Sequence, residues 1–109
     1  MEWILLQNNH QIEEIITNSF TIPIVIFKHS TRCIVSKMAL KNFENNFNLE
    51  NKIQPYFLDL LEYRTISNDV ATRFKIQHQS PQIIVIKNGV AVYATSHEDI
   101  DVLFLERFV

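Results

Sequence analysis

Apolar residues recur along this chain in two periods, and each change of period marks an element. Trp3 to Leu6 is a short apolar lead-in or a first strand. From Asn9 to Asn18, Ile12, Ile15 and Ile16 take the i, i+3, i+4 spacing of one helix face. Ile22-Pro23-Ile24-Val25-Ile26-Phe27-Lys28 is a β-branched run, almost uniformly apolar, that predicts a central strand buried on both faces. Pro23 stands at its start, where a missing N–H does least harm. A polar break follows, His29-Ser30-Thr31-Arg32-Cys33. From about Ile34 to Phe47, Val35, Ala39, Phe43 and Phe47 recur every four residues with Leu40 beside them, which predicts an amphipathic helix capped by Thr31 or Ser30.

The second half begins with a buried strand over Ile53 to Leu60. Ser67 reads as the cap of a short helix that turns Val70, Ala71 and Phe74 inward. Ile83 to Lys87 and Val90 to Ala94 are two strands joined by Asn88-Gly89, a pair that suits a type I′ hairpin because both central residues need positive φ. Asp101 can cap a last helix carrying Val102, Leu103, Leu105 and Phe108. Strand and helix alternate at first, which gives parallel pairing, and the chain closes with an antiparallel hairpin and a helix. The expectation is an α/β domain over residues 1–109, a mixed central sheet with helices on both faces. That order resembles the thioredoxin-like three-layer sandwich, a fold-level analogy that does not by itself give a function.

Composition narrows the chemistry. Hydrophobic residues make up 47% and charged residues 20%, the balance of a folded chain. A net charge of −2 gives no pull toward nucleic acid or an anionic membrane. The N-terminus lacks a basic region before its apolar residues, and no apolar run approaches the ~20 residues of a bilayer span, so a cytoplasmic location is expected. A single Gly excludes Gly-rich phosphate loops, and a single Cys excludes an internal disulfide or a multi-thiolate zinc site.

That Cys, Cys33, falls where the apolar strand gives way to the helix. Helix N-termini carry unpaired N–H groups and partial positive charge, a setting that favours a thiolate. No Asp or Glu occurs between Ile15 and Phe43, a stretch that holds Lys28, Arg32, Lys37 and Lys41; its +4 contrasts with −6 for the rest of the chain. A lone Cys is often simply buried and inert. The strand-to-helix turn and the basic island favour a reactive one. Ser36, at i+3, occupies the place of a resolving thiol; its hydroxyl can donate a hydrogen bond to a thiolate but cannot form a disulfide. His29 could bear on thiol protonation; His78 and His97 have no assigned role, and no ligand spacing links the histidines into a metal site. Ser80-Pro81 precedes the Ile83 strand, and base rates favour a trans bond there.

Phe27-Lys28-His29-Ser30-Thr31-Arg32-Cys33, with Ser36 and Ala39, resembles the active-site segment of the monothiol bacilliredoxins of the bacillithiol system. A second block is similar: Arg64, Ser67-Asn68, His78-Gln79-Ser80-Pro81-Gln82, Lys87-Asn88-Gly89, Val92-Tyr93, Ala94 and Ser96-His97. The resemblance implies a thiol–disulfide oxidoreductase whose nucleophile is Cys33, acting on mixed disulfides between proteins and bacillithiol. It implies no bound cofactor, bacillithiol as co-substrate and bacillithiolated proteins as partners. Ser80 and Pro81 would line the site, with Pro81 in the cis form and Ser80 offering backbone to an extended substrate. Lys28, His29, Arg32 and Lys37 are candidates for substrate binding, the cations by attraction to the malate carboxylates. The family pattern Cys-Pro-Ile-Ser is here Cys33-Ile34-Val35-Ser36, without the proline that would preorganise the turn. Two other readings stay open: an iron–sulfur carrier like the monothiol glutaredoxins, whose Cys-Gly-Phe-Ser pattern is absent, and a non-catalytic interaction module with Cys33 fully buried beneath Ile34 or Trp3.

Overall fold

A computed structural model describes all residues, Met1–Val109. Its elements run β1 (Ile4–Leu5), α1 (His10–Asn18), β2 (Ile24–His29), α2 (Ile34–Asn46), β3 (Gln54–Asp59), α3 (Arg64–Phe74), β4 (Gln82–Lys87) and β5 (Val90–Ser96), then 3-10 helices over His97–Asp99 and Val102–Phe108. The sheet order is β1-β3-β2-β4-β5. β1, β3 and β2 are parallel, whereas β4 is antiparallel to β2 and β5 to β4.

The uniformly apolar run becomes the strand at the middle of this order, and every residue of β2 is buried. Its alternation feeds two cores. Ile24 and Ile26 join Ile12, Ile15, Leu58, Val70, Phe74 and Ile84 on the α1/α3 face. Val25 and Phe27 join Phe43, Phe47, Ile83, Val85, Val102 and Leu105 on the α2 face. Two-sided burial explains why β2 shows no polar alternation.

Local signals place the hairpin. Asn88 and Gly89 take φ of 53° and 83°, the positive values the turn requires. The Gly89 N–H donates to Ser19 Oγ at 2.8 Å, and a Cβ on Gly89 would lie 3.0 Å from the Phe20 ring, so this position needs its glycine for both φ and space.

Three capping expectations are corrected or refined. The cap of α2 is Cys33 itself, with φ −108° and ψ 122°, rather than Thr31 or Ser30. α3 begins at Arg64 behind Tyr63, a turn before Ser67, which is instead a buried residue inside the helix. Asp101 does cap the last element, its carboxylate accepting from the Leu103 N–H at 3.0 Å, but that element is a 3-10 helix. No helix is long and apolar enough to cross a membrane.

Candidate active site

The site forms where β2 ends. Parallel β3 and antiparallel β4 hold β2 along its length, and the chain then turns through Ser30–Arg32 into α2. The Cys33 N–H closes this turn by donating to Ser30 C=O at 3.2 Å, and Cys33 C=O accepts from the Lys37 N–H at 3.0 Å. Cys33 therefore stands at the first helical turn, where orphan N–H groups gather. The helix starts at Ile34, with no proline in its first turn.

Cys33 is half-buried and unpaired. Ile34 is 73% exposed and does not cover it. Trp3 is engaged elsewhere: its ring stacks on Phe43 at 5.5 Å and its Nε1–H donates to Glu44 at 2.7 Å. The closed pocket expected of a non-catalytic module is absent. Arg32 and Lys37, exposed on either side of Cys33 in sequence, bring positive charge to the turn.

Beneath the turn lies a polar clamp. Ser36 is fully buried, its Oγ accepting from the Ser30 N–H at 3.0 Å and hydrogen-bonding His29 Nδ1 at 2.7 Å. The expected partner of this hydroxyl was the Cys33 sulfur; both bonds go to other groups. The physical reason is burial, which obliges the Ser30 amide to find an acceptor inside the fold. His29 is itself 5% exposed, its ring 5.6 Å from that of Phe57. Burial lowers the His29 pKa below the ordinary histidine value, against smaller opposing effects of Asp59 and Glu44. His29 is thus a neutral ring holding Ser36, placed under the turn rather than facing a ligand.

Lys28 is also placed differently from its sequence neighbours. It belongs to β2, is wholly buried on the α3 side, and contributes nothing to the exposed basic surface. The signal was present: a lysine that continues an apolar run on a two-sided strand is carried into the core with it. Its Nζ donates to Ser67 C=O at 3.0 Å and contacts His78 Nδ1 at 3.2 Å. Desolvation pushes it down to about 8.

The other wall comes from the segment before β4. Lys28 pairs with Gln82 in the β2–β4 register, so Pro81 and Ser80 lie at the same end of the sheet as the Cys33 turn. The Ser80–Pro81 bond is cis, as the resemblance implied and the base rate did not. Pro81 C=O accepts from the His97 N–H at 3.0 Å. Ser80 Oγ is buried without a partner. Gln82, absent from the expected site, folds back to donate to Gln77 C=O at 3.0 Å. The structure thus gathers Cys33, Arg32, Lys37, Ser80 and Pro81 around one end of the sheet, with Ser36 and His29 beneath and Lys28 on the opposite face. A cavity of about 600 Å³ lies at the other end, where Ile22, Gln54 and Pro55 open β2 and β3.

A single half-open sulfur at a helix start, with a hydroxyl in place of a second sulfur, suits thiol–disulfide exchange with an external thiol. The sequence model of the monothiol bacilliredoxin BrxC matches residues 4–105. The chain belongs to the monothiol bacilliredoxin family. A solved structure described as a candidate oxidoreductase with a thioredoxin fold is 31% identical, with a TM-score of 0.81 over 95% of this chain and 90% of that one. Thioredoxin from Malassezia sympodialis is 18% identical, with a TM-score of 0.73 over 98% of this chain and 87% of that one. Mitochondrial thioredoxin 3 from Saccharomyces cerevisiae is 17% identical, with a TM-score of 0.70 over 98% and 92%. The last two share the fold alone. Family and fold together make this bacilliredoxin a thiol oxidoreductase with a single cysteine.

Proposed function

We propose that the protein removes bacillithiol from mixed disulfides on proteins, with Cys33 as the nucleophile. The observation that carries this reading is the half-buried Cys33 at the cap of α2, with buried Ser36 where a resolving thiol would stand. The Cys33 thiolate attacks the bacillithiol sulfur of the substrate. The S–S bond breaks, the protein sulfur leaves as a thiolate and takes a proton from water, and a Cys33–bacillithiol disulfide forms. A second bacillithiol thiolate attacks the bacillithiol sulfur of that adduct, releasing bacillithiol disulfide and the Cys33 thiolate. One bacillithiol is consumed for each protein thiol restored, and the chain needs no second cysteine. Arg32 and Lys37, exposed beside Cys33, are the cations available to the malate carboxylates. Ser80 offers its backbone at the site's edge, with Pro81 beside it.

The test is intact mass after incubation with bacillithiol disulfide and with a bacillithiolated protein. A one-bacillithiol adduct, absent in Cys33→Ser, is expected. Absence of any adduct across neutral pH overturns the proposal.

A further inference from the structure

Lys28 is a cation without an ion pair, wholly buried in the central strand. Its Nζ reaches one carbonyl, Ser67 C=O on α3, and one side chain, His78 Nδ1 in the connection from α3 to β4. That connection, residues 75–81, has no regular secondary structure. It leads directly into Ser80–Pro81, at the same end of the sheet as the Cys33 turn. Its other ties are Lys75 N–H to Thr72 C=O at 3.4 Å and Ile76 N–H to Ala71 C=O at 3.0 Å at the helix end, Gln82 Nε2 to Gln77 C=O at 3.0 Å, Gln79 N–H to Gln82 Oε1 at 3.4 Å, and His97 N–H to Pro81 C=O at 3.0 Å. Gln82 of β4 thus holds the backbone on both sides of His78, and the Lys28 contact is the tie that fixes the His78 side chain to β2.

The contact has a defined polarity. An ammonium has three donors and no acceptor, so His78 Nδ1 must accept and carry no proton. The ring is then the neutral tautomer with its proton on Nε2. The charged groups acting on His78 are Lys28 on β2 and Arg64 on α3, both cations, and both oppose a charged ring.

We propose that Lys28 is a positioning residue of the exchange site: its buried ammonium holds the 75–81 connection through His78 Nδ1 and so sets the wall that Ser80 and Pro81 present to a substrate at Cys33. This rests on the proposed exchange at Cys33. It assigns a role to a lysine that the sequence placed among ligand-binding cations and to a histidine that had none. Lys28 itself touches no substrate.

The experiment compares wild type, Lys28→Met, His78→Ala and His78→Asn. Steady-state turnover of a bacillithiolated protein is measured, with histidine side-chain tautomers read by long-range ¹H–¹⁵N NMR. Met keeps the length and burial of Lys28 without a donor; Asn keeps an acceptor near the place of Nδ1. The expected result is KM raised about tenfold in Lys28→Met and His78→Ala, kcat within about twofold, and KM restored in His78→Asn. In wild type the His78 ring is expected as the Nε2–H tautomer, and in Lys28→Met as a mixture. Unchanged KM in Lys28→Met and His78→Ala overturns the proposal, as does a His78→Asn variant no better than His78→Ala. Should Lys28→Met fail to fold, the two His78 variants decide it. If wild type turns over no bacillithiolated protein, the functional reading has failed on its own. The tautomer then decides whether Lys28 holds His78: an Nδ1–H ring in wild type overturns the contact whatever the substrate.

Discussion

His29 Nδ1 lies 2.7 Å from Ser36 Oγ, and the same hydroxyl accepts the Ser30 N–H at 3.0 Å. This pairing ties the end of β2, the turn and the first turn of α2 into one unit. The serine at i+3 from Cys33 thereby shapes the turn from below.

Ser36→Ala should consequently act on stability first. It leaves the Ser30 amide and His29 Nδ1 without their acceptor and partner inside the fold, a loss of about 1–3 kcal/mol. Urea denaturation at pH 7 measures it. A loss within a few tenths of a kcal/mol would show that water replaces the hydroxyl.

The buried ammonium gives stability a dependence on alkaline pH. Folding lowers Lys28 from 10.5 to about 8, so between those values the unfolded chain holds a proton that the folded chain has released. Stability contributed through this group rises with pH across that window, and the full penalty is present below it. Lys28→Met removes the penalty and should stabilise the protein by about 1–3 kcal/mol at pH 7. The advantage over wild type should shrink from pH 8 toward 10.5. Taking the difference between the two proteins cancels other alkaline titrations, that of Tyr56 among them. A more stable variant with a higher KM would mark Lys28 as kept for positioning.

His29 and His78 set the acid side. Burial lowers both below the ordinary histidine value. As pH falls through 6.5 the unfolded chain takes up protons that the folded chain refuses, so stability drops and the loss is complete below the folded-state values. Thermal unfolding at pH 7 and pH 5 checks this; His78→Asn should show a smaller difference between the two than wild type.

Arg32 and Lys37 should act through charge alone, since both are exposed. Replacing both with Ala should raise KM for bacillithiol-bearing substrates by about 2–5-fold per charge at low salt. Raising the ionic strength to about 1 M should erase most of the difference. Equal KM at low salt would remove these two cations from substrate binding.

Much of this architecture is legible residue by residue. The apolar run at Ile22 to Phe27 can only be a strand covered on both faces, because no polar alternation leaves a side for water. Asn88-Gly89 requires positive φ and makes its hairpin locally. Asp101 caps the last element through its own side chain. These signals act over a few residues, so the local sequence suffices. The capping of α2 and α3 was less legible. Cys33 has no side-chain oxygen to announce a cap, and a buried Ser67 looks like a capping serine until its helix is seen to begin a turn earlier.

The sequence by itself determined the element order, the single sulfur, its place at a strand-to-helix turn and its family. Tertiary structure decided which polar residues around that sulfur face water and which face one another. Lys28, His29 and Ser36 stand next to exposed Arg32 and Lys37 in the chain, yet a central strand and the inner side of a helix carry them into the interior. Once there, each must find a partner: His29 and Ser36 find one another seven residues apart, and Lys28 finds His78 fifty residues away. Such pairings depend on strand register and on which face of the sheet a residue occupies, both fixed by long-range packing.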